Sequence, residues 1–359
     1  MSTGVSPVVS PNTIRPRPTP HSGYHWNGRQ HPFFEGWYYR LTLPPEQGNQ
    51  TIAFMYSLQD PGKQTTASGG TVQILGPNEQ YFCRSLPEVS QFWAWPYRLG
   101  HGHSRRGPER YRVTDTQHTG QFWCPVTGNT VRWHYALEPV YTWGAPQRPQ
   151  STAGWLSQFQ IFEPGWQVLM AHGWATGWFE SVDAAGRPIH RFDFERVPAY
   201  GEKNWGGAFP KKWFWLQCNA FEQEPDLTLT AAGGIRQVLG QQESVGMVGV
   251  HHGGNFYEFV PWNGQIAWQV AWGHWRVWAE QPHYAVELMG HTDTAGVNIR
   301  VPTATGMEFL CRDTTQGTLS LNLWRKHNKE RQLILSAHSQ QAGLEIGGKH
   351  WHQPWCHGY

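Results

Sequence analysis

Charge is scarce in this chain. Of its 359 residues only 15% are Asp, Glu, Lys or Arg, and they balance to a net +2. Without a basic stripe or block, the electrostatic footprint of a nucleic-acid binder is missing. Cysteine is sparse too. Cys83, Cys124, Cys218, Cys311 and Cys356 lie far apart, are odd in number and form no C-x-x-C pair. That spacing offers neither a zinc site nor a disulfide framework, and it fits a reducing compartment. No run approaches about 18 apolar residues, so no helix is expected to span a bilayer, while peripheral membrane contact stays open. No G-x-S-x-G elbow, phosphate loop or dinucleotide fingerprint occurs. Histidine is plentiful at 19, with His101 and His103, His251 and His252, and a tail holding His350, His352, Cys356 and His357. None has H-E-x-x-H or finger spacing, so no metal is expected.

What the chain does have is tryptophan. It carries 22 Trp, together with 40 Gly and 26 Pro. Many turns and few long helices follow from the Gly and Pro content. The indoles need N–H partners and concave surfaces to pack against, as an aromatic-lined barrel or sandwich provides, or a sugar-binding face. No window of about 11 residues has a helical period, whereas two-residue alternation recurs. Phe33 to Leu43 alternates, with Glu35, Trp37 and Tyr39 on one face. Val131 to Leu137 does the same, and Gln167 to Phe179 with Ile189 to Glu195 read as a hairpin through Asp183 to Gly186. Val245 to Val250 and Phe256 to Val260 form another across Gly253-Gly254-Asn255. Further strands follow at Ile266 to Trp272, Trp275 to Glu280 and Tyr284 to Met289. The fold class is therefore all-β and antiparallel, with too many strands for one small barrel. Residues 1–19, rich in Pro, Ser and Thr, read as a disordered leader. Residues 20–198 and 199–359 read as two barrel domains, divided near Val197 to Gly207.

The stretch from Tyr200 to Trp215 concentrates the candidate chemistry. On an extended backbone Glu202 and Asn204 point one way and Lys203 the other. A carboxyl placed among aromatics and away from its cation tends to stay protonated, and so can act as an acid. The alternative is a surface turn with a solvated Glu202–Lys203 pair. Glu35, Glu258 and Asp313 are further acids that could face an apolar interior, or be structural carboxylates at a barrel end. An inward carboxylate should be either paired or neutral.

Several blocks then resemble one family. They include His21-Ser-Gly-Tyr-His-Trp26, Phe33-Phe-Glu-Gly-Trp-Tyr38, Ser151-Thr-Ala-Gly-Trp155 and Phe162-Glu-Pro-Gly-Trp166. Glu202-Lys-Asn-Trp-Gly-Gly207, Lys212-Trp-Phe-Trp-Leu-Gln-Cys218, Tyr257-Glu-Phe-Val-Pro-Trp-Asn-Gly264, Cys311-Arg-Asp313 and Leu344-Glu-Ile-Gly-Gly348 follow in order. Together they resemble the tocopherol cyclase family across nearly the whole chain. The resemblance implies two lipocalin-like β-barrel domains in tandem and a cofactor-free closure of phytyl hydroquinones to chromanols. The expected acid is Glu202, oriented by Asn204 and packed near Trp205, with Asp313, Glu35 and Glu258 as alternatives. Trp37, Tyr39, Trp205, Trp213, Trp215 and Trp262 are the expected walls for the prenyl chain. Asn27 stands where the family pattern leads one to expect an acid, so no catalytic role is given to it. The plant members' transit peptide and longer tail are missing, so the chain resembles a cyanobacterial member, thylakoid-associated or soluble. The rival readings are a lipid carrier on the same barrels and a related hydratase acting on a carotenoid double bond.

Overall fold

The computed structural model describes residues 19–63, 67–154, 157, 162–238, 241–327 and 330–358, with Phe162 and Val238 described by their backbones alone. The expected leader lies outside them except for Thr19, as does Trp155 of one family block. Strands dominate, as the alternation requires, and every run named above matches a strand to within one residue at either end or lies inside one.

Eleven strands between Phe34 and Gly206 form one antiparallel sheet. At its centre, Phe34–Thr42 pairs with Thr51–Gln59 on one side and with Pro188–Gly206 on the other. Gly165–Val182 then pairs with the far side of Pro188–Gly206. The sheet rolls on itself. Arg84, on Tyr81–Leu86, reaches Glu109 at 3.2 Å, and the Cys83 N–H donates to Cys124 Sγ at 3.4 Å. Trp37, Tyr39, Leu41, Phe54 and Trp133 fill the roll.

A second, twelve-stranded sheet gathers the rest of the chain from Trp213 to His357, and it borrows one short strand, Phe162–Glu163, from the first half. It also curls: a Cβ added at Gly246, on Gln241–His252, would lie 3.0 Å from Trp268 on Gln265–Ala271. Phe214, Leu216, Trp268, Trp275 and Leu321 fill its interior.

The expected division between residues 198 and 199 is corrected by the strand pairing. Pro188–Gly206 runs unbroken through the Glu-Lys-Asn-Trp-Gly segment, with Glu202 opposite Tyr38 and Val168, so this segment completes the first sheet instead of opening the second. Gly206-Gly207 marks the end of a strand, and a turn signal in sequence does not say on which side the domain ends.

The two rolls pack through their outer faces. The strand Trp213–Cys218 is buried at all six positions, because one face meets its own core and the other meets the first sheet. Polar bonds stitch this seam. Buried Arg40 donates to Gln217 Oε1 at 2.9 Å and to the Thr315 carbonyl at 3.2 Å. Gln73 donates to the Arg300 carbonyl at 2.9 Å and Asn219 to the Ala199 carbonyl at 2.9 Å.

Candidate active site

Between those outer faces lies a cavity. Its walls follow from register. In the first sheet Glu202, Tyr38 and Met55 stand side by side on adjacent strands, with Asn204, Gly36 and Ser57 in the next row. In the second sheet Ala232, Trp215 and Glu345 form one row, which continues to Asp313 behind the cavity wall. Ile299, Val301 and Met307 line an apolar end, joined by Phe209 and Pro210. Trp213 fits because its neighbour has no side chain: a Cβ at Gly347 would fall 1.8 Å from the indole. Gly347→Ala must displace that ring or the strand. It is expected to cost about 1–3 kcal/mol, read as a lower urea midpoint at unchanged slope.

Glu202 is the centrepiece of the first-sheet wall. Its Oε2 accepts from Tyr200 Oη at 2.6 Å, Trp166 Nε1 at 2.9 Å and Trp215 Nε1 at 3.0 Å. Oε1 takes none of these bonds. No Lys or Arg forms an ion pair with it among the described residues; Arg236, on the cavity wall, acts on it only through space. Burial raises its pKa, and the three donors and Arg236 only partly oppose the rise. The alternation places Lys203 on the opposite face, as the sequence suggests.

A second acidic centre faces it. Glu345 lines the cavity, accepts from Trp213 Nε1, and is opposite Asp313 across the strand pair. Burial pushes Glu345 up to about 7, with the Glu202 carboxyl adding to the rise. Asp313 is fully buried, and burial followed by repulsion from Glu345 and Glu79 raises it well above the ordinary carboxylate range. Its Oδ1 has no hydrogen-bond partner among the described residues.

The remaining expected site residues are scattered. Glu35 is no neutral acid. Buried, it is ion-paired with Lys203 and accepts the His25 N–H at 2.8 Å. Burial alone would raise its pKa, but Lys203 and His25 reverse this and leave it lowered. Glu258 accepts from Trp143 Nε1 at 2.7 Å, away from the cavity wall. Asn204 lines the cavity but does not orient Glu202; that falls to Tyr200, Trp166 and Trp215. Tyr200 is two residues from Glu202, as Asn204 is, but its longer side chain spans the gap.

Among the expected aromatic walls, Trp213 and Trp215 line the cavity. Trp37 borders it, although its ring stacks on His101 at 4.0 Å within the first roll. Tyr39 lies inside that roll against His118 at 4.3 Å, and Trp205 stacks on His25 at 3.9 Å beside a neighbouring depression. Trp262 is not on the cavity wall, although it packs against the apolar cluster that includes Trp143, Trp166 and Trp215. In Phe34–Thr42 the odd positions Tyr39 and Leu41 fill the roll while Gly36 and Tyr38 line the cavity, so Tyr39 stands on the face turned away from it. Trp166, Tyr200, Tyr38, Arg236 and Glu345 were missed. Glu345 was the most findable, a lone acid between Leu344 and Ile346.

Glu224, Asp226 and His252 also come together, their ligand atoms within 4.8 Å of one another, and could hold a cation. Glu224 and Asp226 lie in the loop before the strand Thr228–Val238, and His252 ends Gln241–His252, so no sequence spacing marks them.

The Tocopherol cyclase-like family profile matches residues 31–348. The chain belongs to that family. A probable tocopherol cyclase of Oryza sativa subsp. japonica, described as chloroplastic, is 38% identical over 401 residues, covering 98% of this chain and 83% of the relative. The chloroplastic tocopherol cyclase of Zea mays is likewise 38% identical, over 99% of this chain and 83% of its own length. Among solved structures, CghA aligns with a TM-score of 0.52 at 9% identity, over 88% of each chain. A protein of Nitrosomonas europaea described as AttH aligns at 0.50 and 10% identity, over 92% of this chain and 99% of its own. At that identity the likeness concerns the fold alone, and the tocopherol cyclase-like chain shares their lipocalin-like, two-barrel architecture.

Proposed function

We propose that this member of the family is a tocopherol cyclase, an isomerase closing the chromanol ring of a phytyl hydroquinone with Glu202 as the acid. The observation that carries this reading is the state of Glu202: buried, without an ion-pair partner among the described residues, and holding all three of its hydrogen-bond donors there on one oxygen. With Oε2 saturated as an acceptor, the neutral carboxyl carries its hydrogen on Oε1. That hydrogen goes to the less substituted carbon of the prenyl double bond nearest the ring. Positive charge then builds on the tertiary carbon, and the phenol oxygen closes on it.

Alkenes are weak bases, so the acid must be un-ionised and desolvated to act. The indole faces of Trp166, Trp213 and Trp215 support the developing charge by roughly 0.5–2 kcal/mol each. Folding the substrate so that oxygen lies near the cationic carbon contributes more, with a ceiling of about 7–11 kcal/mol. The apolar end, near Ile299, Val301 and Met307, suits a prenyl tail. No cofactor is needed for a reaction that moves only protons. Delivery from a membrane surface fits so apolar a substrate, as does a thylakoid-associated site in a cyanobacterium. No described helix is long and apolar enough to cross a membrane.

Incubation with a phytyl hydroquinone in heavy water tests this directly. The expected product is a chromanol with one deuterium on the carbon beside the new ether carbon. Tight retention of the quinol without product would instead favour a carrier, and an open-chain alcohol would favour a hydratase.

A further inference from the structure

A ring closure that consumes one proton also releases one, from the phenol. The reading above names a donor and leaves the acceptor unassigned. Four observations bear on it. Glu345 reaches the same cavity as Glu202 but from the opposing sheet, so a substrate between them has one carboxyl on each side. Glu345 has no ion-pair partner among the described residues, and its indole donor, Trp213, favours the ionised form. Asp313 lies directly behind it on the neighbouring strand. Asp313 likewise forms no ion pair with a Lys or Arg among the described residues; the two terminal nitrogens of Arg40 bond Gln217 and backbone carbonyls, and Arg40 acts on Asp313 only through space. Two buried carboxyls side by side without a counter-ion are costly to the fold, so they hold a proton between them and titrate as a pair.

We propose that Glu345 is the base of the ring closure, with Asp313 as a positioning residue that keeps the pair's remaining proton. This rests on the tocopherol cyclase reading. The Glu202 O–H bond breaks as the new C–H bond forms on the alkene. The phenol O–H bond breaks as the C–O bond forms, and its proton ends on Glu345. No electrons are gained or lost, and exchange with solvent removes the proton from Glu345 and returns one to Glu202. Trp213 and Trp215 face Glu345 from one adjacent strand, and Cys311 and Asp313 from the other. Glu202 and Tyr38 face it across the cavity, Arg236 and Arg300 are the cations of the cavity wall, and Arg40 and Glu79 stand beyond Asp313.

The decisive variant is Glu345→Gln. Its single-turnover rate with a phytyl hydroquinone is expected to fall by about a hundredfold or more, while quinol affinity, read from tryptophan fluorescence, stays within about threefold. A ring-fluorinated quinol, with a more acidic hydroxyl, should restore part of that rate in Glu345→Gln and none in Glu202→Gln. Near wild-type turnover by Glu345→Gln, or no restoration by the fluorinated quinol, overturns the proposal. If Glu345→Gln fails to fold, Trp213→Phe serves instead. Losing the indole N–H raises the Glu345 pKa, so the limb of the pH–rate profile near 7 should move to higher pH. An unmoved limb overturns the proposal equally. Failure of the wild-type protein to make any chromanol would sink the cyclase reading itself, a separate outcome.

Discussion

Glu202→Gln is expected to fold normally and to lose chromanol formation by about 10²–10⁴-fold. The amide is nearly isosteric with the neutral carboxyl. Its carbonyl oxygen can take over the hydrogen bonds from Tyr200, Trp166 and Trp215, all of which are donors. Its NH₂ then occupies the position of the acidic O–H, and an amide hydrogen is far too weakly acidic to protonate an alkene. The bonds that hold the residue are preserved while the chemistry is removed. Urea unfolding should therefore move by no more than about 1 kcal/mol, since each hydrogen bond is replaced in kind. Single-turnover product formation is the measurement. Turnover at the wild-type rate would strike Glu202 from the mechanism.

Lys203→Met should have the opposite profile, a large loss of stability from a residue outside the cavity. Lys203 and Glu35 have fully buried side chains and are paired with one another. Removing the ammonium strands the Glu35 carboxylate, with only the His25 backbone N–H and imidazole bonding it among the described residues. Breaking such a pair from one side costs about 3–5 kcal/mol, whereas replacing both members by apolar groups is often close to neutral. The double variant Lys203→Met/Glu35→Leu is therefore expected to recover most of the urea midpoint lost by Lys203→Met. The same double variant should keep ring closure, because the pair lies on the face of its strands that points away from Glu202. Loss of activity in a folded double variant would return Glu35 to the list of candidate acids.

Much of this molecule is legible from alternation. The period of two in Phe33 to Leu43 and Val131 to Leu137 requires strands, and the count of strands requires two rolls. The same period separates Glu202 from Lys203, and so separates the proposed proton donor from the cation that would ionise it. Alternation does not say which of two faces meets a partner. In Phe34–Thr42 the odd residues, Trp37 and Tyr39, are the more apolar choice and fill the roll. Even-numbered Tyr38, beside Gly36, faces the cavity. The aromatics assigned to substrate were partly core for that reason. Asn204 was named as the partner of Glu202 because it is near in sequence. The true partners include Trp166 and Trp215, brought in by two other strands.

By itself, then, the sequence determined the strands, the family and the side of the backbone on which Glu202 projects, because these depend on local periodicity and on residue identity. Only the tertiary structure decided that the cavity lies between the rolls instead of inside one. It alone decided that Glu35 is neutralised by Lys203, and that Glu345 and Asp313 confront Glu202 from the other sheet. Those outcomes turn on which outer faces pack together, a contact between segments over a hundred residues apart that no local pattern encodes.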